Sequence, residues 1–350
     1  MTTPAVLSVA DTSSLQAALE SLRTKSSIWS DLVLNRRAER RNKEWLSAKG
    51  IQHPHIGFAW DGDDNATGDW YPQGITGLRS SSSASEEKYI LVSWYGKESA
   101  AHKGARISFI DVGDMDNIKY RHVLLVEPSN DDLVYKPVEI HAGGLASLGN
   151  TIYVADTHLG VRTFDASRIF SAEPDPSKSK CGVLNGYAYG FDYGYILPQS
   201  SAYSMTMSAD DGKQGFSYLS MDWTDSNRPT LLTGNYHREN DEKYHNPPPK
   251  NVWWNMAGNR ITSARNSLIH CKLQIQGSVS FGGSVWLSRS GSEATRALIK
   301  IALTTGRSKE FTWPYGCEDL HFSPISKNIW CLTEHPDKRF VFAVKSEEYQ

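Results

Sequence analysis

The chain has 350 residues, with 37 Lys and Arg against 39 Asp and Glu. The formal charge of −2 gives no electrostatic ground for nucleic acid or an anionic membrane surface as partner, and no stretch reaches the roughly 18 continuous apolar residues of a spanning helix. Eleven Trp and 16 Tyr are a heavy aromatic load, of the kind that fills β cores and lines pockets for flat organic ligands.

Residues 1–50 read as a helical extension. Ser13 with Gln16 resembles a capping box, and Leu15, Ala18, Leu19 and Leu22 then share one helical face. A second helical pattern, residues 28–48, carries Trp29, Leu32, Val33 and Trp45 and stops before Gly50. Its basic run, Arg36, Arg37, Arg40 and Arg41, is interleaved with Glu39 and Glu44 and reads as a solvated face. The start lacks the basic head and continuous apolar stretch of a secretory signal, so an intracellular, cytoplasmic protein is expected.

Residues 51–350 read as a single all-β domain. Short β runs separated by Gly, Asn, Asp and Ser replace the helical period, and they repeat. QGITGL, HAGGLASLG, SMTMSADDG, QGSVSFGG and EDLHFSP each open with a polar residue on a strand of small residues, and each is followed by a more apolar strand. This predicts a five-bladed β-propeller whose first strands lie nearest the axis, or six blades if residues 237–270 hold another. The last repeat is one strand short, and HIGFAW at residues 55–60 is the expected donor that closes the ring.

Two insertions, residues 171–200 and 237–265, exceed ordinary blade turns and are rich in aromatics. They read as lids over one mouth, with Tyr187, Tyr189, Phe191, Tyr193, Tyr195, Trp253 and Trp254 as roof. Cys181, Cys271, Cys317 and Cys331 form no CxxC pair and read as reduced thiols.

The heads of the inner strands bring Gln73, His141, Gln276, Glu318 and Asp319 toward one axial space. Strand alternation aims one of the two adjacent carboxyls at the axis; Glu318 is the expected one, with Asp319 structural. Asp156 and His158 read as an Asx turn. The axial set is mostly amide, one His and one acidic pair, unlike the hard oxygen cage of calcium, and neither GxSxG nor HExxH occurs. No metal or cofactor is expected. What remains is a neutral, aromatic pocket for small-molecule substrates, with His141 or Glu318 able to donate a proton.

WYPQGITGL, LVSWYG, KGARISFIDV, YRHVLLVEP, HAGGLASLGNTIYVADTHLGVRTFD, LQIQGSVS and CEDLHFSPISKNIWCLTEHPDKRFVFAV resemble a family of bacterial and fungal propeller proteins often labelled secreted proteins. The resemblance spans roughly residues 55–345. Within that family the sequence is similar to the fungal hetero-Diels–Alderases of tropolone sesquiterpenoid biosynthesis. The resemblance implies dehydration of a tropolone alcohol to an o-quinone methide, then stereoselective cycloaddition to a humulene-type terpene. On that reading Glu318 and His141 are catalytic, and Arg339 or His141 binds the tropolone anion. Gln73, Gln276, Tyr71, Tyr203, Trp223, Trp253 and Trp254 complete the substrate pocket. A metal-dependent propeller lactonase and a non-catalytic scaffold remain as other classes.

Overall fold

Alternating apolar strands joined by short turns build five antiparallel four-stranded meanders in chain order. The first contains Trp70–Leu78, Tyr89–Gly96, Ala105–Asp111 and Lys119–Pro128. The second contains Leu145–Leu148, Thr151–Asp156, Gly160–Asp165 and Tyr195–Thr206. Tyr218–Asp222, Thr230–Gly234, Lys250–Ala257 and Arg260–Ile269 form the third. Ile275–Phe281, Ser284–Arg289, Ala297–Ala302 and Ser308–Phe311 form the fourth. The fifth has Cys317–Phe322, Asn328–Thr333 and Phe340–Lys345, and takes its outer strand, Pro54–Ala59, from the other end of the repeat region, with Phe340 opposite Ala59. The first strands of the meanders touch in cyclic order, fifth against first, so the chain is an all-β propeller with these strands around the axis. The structure, a computed structural model, describes residues 6–9, 13–21, 26–27, 31–78, 87–129, 131–206, 216–238, 249–270 and 272–349.

Three sequence expectations change. Residues 250–269 supply the outer half of the third meander. SMTMSADDG does not head that meander: Ser204 pairs with Gly160 at the end of the second meander's outer strand, and the inner strand is Tyr218–Asp222. At the N-terminus Ser13–Ser21 is helical, but within 28–48 the only α-helix among the described residues is Lys43–Ala48, capped by the Asn42 side chain on the Trp45 N–H at 2.9 Å. Arg36–Arg37 and Glu39–Arg40 are instead extended and paired to the outer strands Lys119–Pro128 and Pro54–Ala59. Carboxylates on the propeller draw them there: Arg36 reaches Asp61 at 2.8 Å and Arg40 reaches Asp116 at 2.5 Å.

Backbone meets backbone at the axis. A Cβ on Gly74 would lie 2.7 Å from the Leu145 nitrogen, one on Gly144 2.2 Å from the Leu219 nitrogen, and one on Gly277 2.4 Å from the Asp319 Cα. In the repeat, Asp319 occupies the place that Gly74, Gly144 and Gly277 occupy in their own strands. Its Oδ2 accepts the N–H groups of Leu145 at 3.0 Å and Ile75 at 3.3 Å, tying the fifth inner strand to the first two. Ser93 adds a second tie, accepting from the Gly74 N–H and donating to the Ala142 carbonyl. The ring is therefore closed at mid-height by main chain and one carboxyl.

Between the fifth and first meanders lies a buried charge cluster. Asp64 accepts from Arg106 at 2.9 Å, Tyr120 at 2.6 Å and His122 Nε2 at 2.8 Å. Trp94 donates to Ser108, whose hydroxyl lies 2.8 Å from His122 Nδ1, so the ring is the neutral Nε2–H tautomer. Burial pushes His122 down to about 4. Burial alone would raise Asp64, but His122, Arg106 and Arg36 outweigh it and hold the carboxyl well below the carboxylate range.

Two outcomes follow for stability. Gly144→Ala is expected to cost at least about 2 kcal/mol in urea denaturation through overpacking, whereas Gly68→Ala, with open space at its Cβ, stays within about 0.5 kcal/mol. A histidine whose folded pKa is depressed leaves the unfolded chain binding more protons, so stability falls as pH drops from about 6.5 to about 4. Asp64, also depressed, adds its loss only below about pH 4. Glu318 and Asp319, whose raised pKa values act in the opposite sense, cancel when wild type and His122→Asn are compared, so the difference between their denaturation midpoints at pH 7.5, 5.5 and 3.5 reads the histidine window, and a difference that does not change with pH would contradict this account.

Candidate functional site

Above the closed axis, one mouth is built from the heads of the inner strands. Pairing slips between Pro72 and Ile75, between Ile275 and Gly277, and between Cys317 and Leu320. Each slip is a bulge, which breaks the two-residue alternation and re-aims the residue it holds. Gln73, Gln276 and Glu318 occupy those bulges. Glu318 and Asp319 are both buried, at 1% and 0% exposure, as is every residue of the strand Cys317–Phe322.

Glu318 lies under Gln276, whose Nε2 donates to Oε1 at 3.1 Å. Burial first, then Glu334, Cys331 and Asp319, push its pKa well above the ordinary value, which favours the protonated carboxyl. On the other side of the fifth meander's inner strand, Gln73 donates to Glu334 Oε2 at 3.0 Å.

The wall is aromatic. Tyr71 lies 5.9 Å from Tyr95, and the Tyr95 ring is 4.4 Å from His141. Lys97 and Arg339 stand over the Tyr71 ring at 4.5 Å and 4.9 Å. His141 is open to solvent although protein crowds its ring, as expected on a concave wall; burial there pushes it down to about 4, so its imidazole is neutral. It therefore offers a hydrogen bond to an anion rather than a charge. Burial, then Glu334 and Glu318, push Tyr95 up to about 12.

Arg339 is 1% exposed, and its guanidinium donates to the carbonyls of Glu334 at 2.6 Å and Asp64 at 2.8 Å. Burial lowers it to about 10. It retains its charge but has no carboxylate ion pair among the described residues.

Six predicted residues thus assemble at this mouth: Tyr71, Gln73, His141, Gln276, Glu318 and Arg339. Four do not. Tyr203 and Trp254 are buried in the packing between the second and third meanders, and Trp253 between the third and fourth. Trp223 follows the inner strand Tyr218–Asp222 and lies at the opposite end. Trp253 and Trp254 belong to the strand Lys250–Ala257, opposite Leu232 and Leu231, and are buried, so they are core and not roof.

The 171–200 insertion forms a hairpin, Cys181–Leu184 with Tyr187–Gly190, that packs on the outer strands of the first two meanders. Of the second insertion, residues 239–248 lie outside the described residues. Cys181, Cys317 and Cys331 are free thiols, and Cys271 lies outside the described residues. Asp156 makes the expected turn, accepting from the His158 and Leu159 N–H groups.

Sequence reasoning missed Tyr95 and Glu334. Both end the second strand of a meander, and in an antiparallel pair that end shares the mouth with the head of the first strand. The signal was the polar exit after each apolar run, YG after LVSW and EH after IWCLT.

A cleft of about 650 Å³ opens elsewhere, lined by Leu148, Asn227, Arg228, Asn255, Met256 and Arg265 among others, with no carboxyl or imidazole. Chemistry places the site at the axial mouth instead. Among the described residues no three His, Cys, Asp or Glu side chains group as a metal site.

No family model and no curated protein matches the sequence. Among solved structures the chain is similar to Myxococcus xanthus glutaminyl cyclase, at 11% identity over 83% of this chain and 94% of that one, TM-score 0.43. It is also similar to a Xanthomonas campestris gluconolactonase, at 7% identity over 91% and 97%, TM-score 0.36. The WD40 domain of Neurospora crassa Pan2 aligns at 11% identity over 79% and 63%, TM-score 0.31. At these scores the likenesses bear on neither substrate nor chemistry.

The neutral His141 gives a direct check. Its imidazole nitrogen shifts in NMR should stay those of the neutral ring at pH 6 and move only toward about pH 4. A midpoint near 6.5, the unperturbed value, would refute the crowded-wall description.

Proposed function

We propose that this chain is a dehydrating cyclase for a flat, acidic hydroxymethyl substrate, of the hetero-Diels–Alderase kind its motifs resemble. The observation that carries the reading is the Glu318 carboxyl, buried at the base of an aromatic-walled mouth with the Gln276 amide as its side-chain donor and its pKa raised by that burial. A carboxylic acid kept protonated at neutral pH is a proton donor.

With an alcohol seated over it, Glu318 protonates the departing hydroxyl as the C–O bond breaks, and water leaves. Tyr71, Tyr95 and His141 offer faces to a planar ring. Arg339, whose hydrogen bonds end on carbonyls, favours the ring's anion. Neither charge nor covalent chemistry is needed for the following cycloaddition, which gains from holding diene and alkene together in one orientation. The resemblance makes a tropolone-type alcohol and a humulene-type alkene the proposed partners.

A scaffold is the second reading, favoured by the closed axis, which admits no ligand into the ring itself. Purified protein incubated with a tropolone alcohol and humulenol, followed by chiral product analysis, separates the two. The cyclase should accelerate adduct formation and favour one stereoisomer, and Glu318→Gln should lose about 10²-fold or more of the rate. Equal rate and an equal stereochemical mixture with and without protein would leave the scaffold.

A further inference from the structure

Two amides frame the fifth meander symmetrically. Its inner strand is flanked by those of the fourth and first meanders, and from each neighbour a bulged glutamine donates to one carboxyl of the fifth: Gln276 to Glu318 at 3.1 Å, Gln73 to Glu334 at 3.0 Å. The two carboxyls differ in solvent. Glu318 is 1% exposed, whereas the Glu334 side chain retains 19% of its surface and has His335 Nδ1 3.7 Å from Oε1. Tyr95, Tyr236, Glu318, Arg339 and His335 are the titratable groups facing it.

We infer that Glu334 is the base working opposite Glu318, receiving the proton of the substrate's ring hydroxyl while Glu318 protonates the leaving one. Two carboxyls sharing one mouth in different solvation divide into acid and base. Gln73 occupies Oε2 and leaves Oε1 to take the proton. The inference rests on the dehydration reading above, and it narrows the substrate: the acidic hydroxyl and the hydroxymethyl group stand on adjacent ring carbons, so that one molecule spans both carboxyls.

The step balances without a redox partner. The ring O–H bond breaks toward Glu334, its electron pair closes a ring C=O, and the ring electrons shift to form the exocyclic C=C. The hydroxymethyl C–O bond breaks, and that oxygen takes the Glu318 proton and departs as water. A proton passing from Glu334 to Glu318 through water then resets the pair.

The test measures kcat and KM from about pH 3.5 to about pH 9 for wild type, Glu334→Gln, Glu334→Asp and Glu318→Gln, using an ortho-hydroxymethyl phenol, whose ring hydroxyl stays protonated up to about pH 10, with excess alkene as trap. Glu334→Gln should lower kcat about 10²-fold, with KM within about threefold, and erase the acidic limb of the profile. Glu334→Asp keeps that limb, and Glu318→Gln loses the alkaline one. A second substrate, acidic enough that its ring hydroxyl is already ionised, should return Glu334→Gln to within about tenfold of wild type while Glu318→Gln stays slow. This rescue also requires a folded variant. Wild-type kcat and an intact acidic limb in Glu334→Gln would overturn the inference while leaving the dehydration reading in place. A wild type inert toward both substrates would overturn the two together.

Discussion

The approach of the inner strands at the axis is the constraint on which the rest depends. Main-chain atoms of neighbouring strands come so close at Gly74, Gly144 and Gly277 that a single Cβ would collide with backbone. Such a ring leaves main-chain N–H groups facing inward without sheet partners, and an unpaired buried N–H is costly. Asp319 meets those of Ile75 and Leu145, and Ser93 meets that of Gly74. The outer strand Pro54–Ala59 completes the closure by joining the two ends of the repeat region. Its outer contact with Glu39–Arg40, and Arg36 near Asp64, secure the same seam.

Closure at mid-height decides where chemistry can happen. With the axis blocked, polar residues at the strand heads stand over a floor rather than along a tunnel. Bulges at the heads of three inner strands hold the residues that stand there, Gln73, Gln276 and Glu318. Hydrogen-bond partners for them come from adjacent meanders, so the site depends on the assembled ring and on no single blade.

Much of this was legible in the sequence because repetition is. Polar strand heads at Gln73, Gln276 and Glu318, the small residues behind them and the displaced HIGFAW strand each reported a position in the ring. Composition misled where it was read without period. Trp253 and Trp254 are neighbours on one strand and pack against different neighbouring meanders, and their aromatic character marked core as readily as ligand wall. The basic run at residues 36–41 has a helix-compatible pattern, but carboxylates outside that run, Asp61 and Asp64 at the short helix Gly62–Ala66 and Asp116 in a turn, make the extended form better. Such partners are far away in sequence, and local propensity has no access to them. Glu334 was hidden for a different reason: the repeat was read at the head of the first strand, while the exit of the second reaches the same mouth.

Glu318 and Asp319 show how structure and chemistry part within two adjacent residues. Burial raises the pKa of both. For Asp319 the N–H groups of Leu145, Leu320 and Ile75 oppose that rise, and its Oδ2 is committed to the main chain of two other meanders. Glu318 receives one donor, the Gln276 amide, and faces the Glu334 carboxyl besides. A buried carboxyl with several backbone donors is a fastening, because breaking it strands each donor in turn. One with a single amide partner is less stabilised as an anion, which on the proposed reading suits it to give its proton to a departing oxygen. The withheld hydrogen bonds, more than the carboxyl itself, separate the residue suited to chemistry from its neighbour that closes the ring.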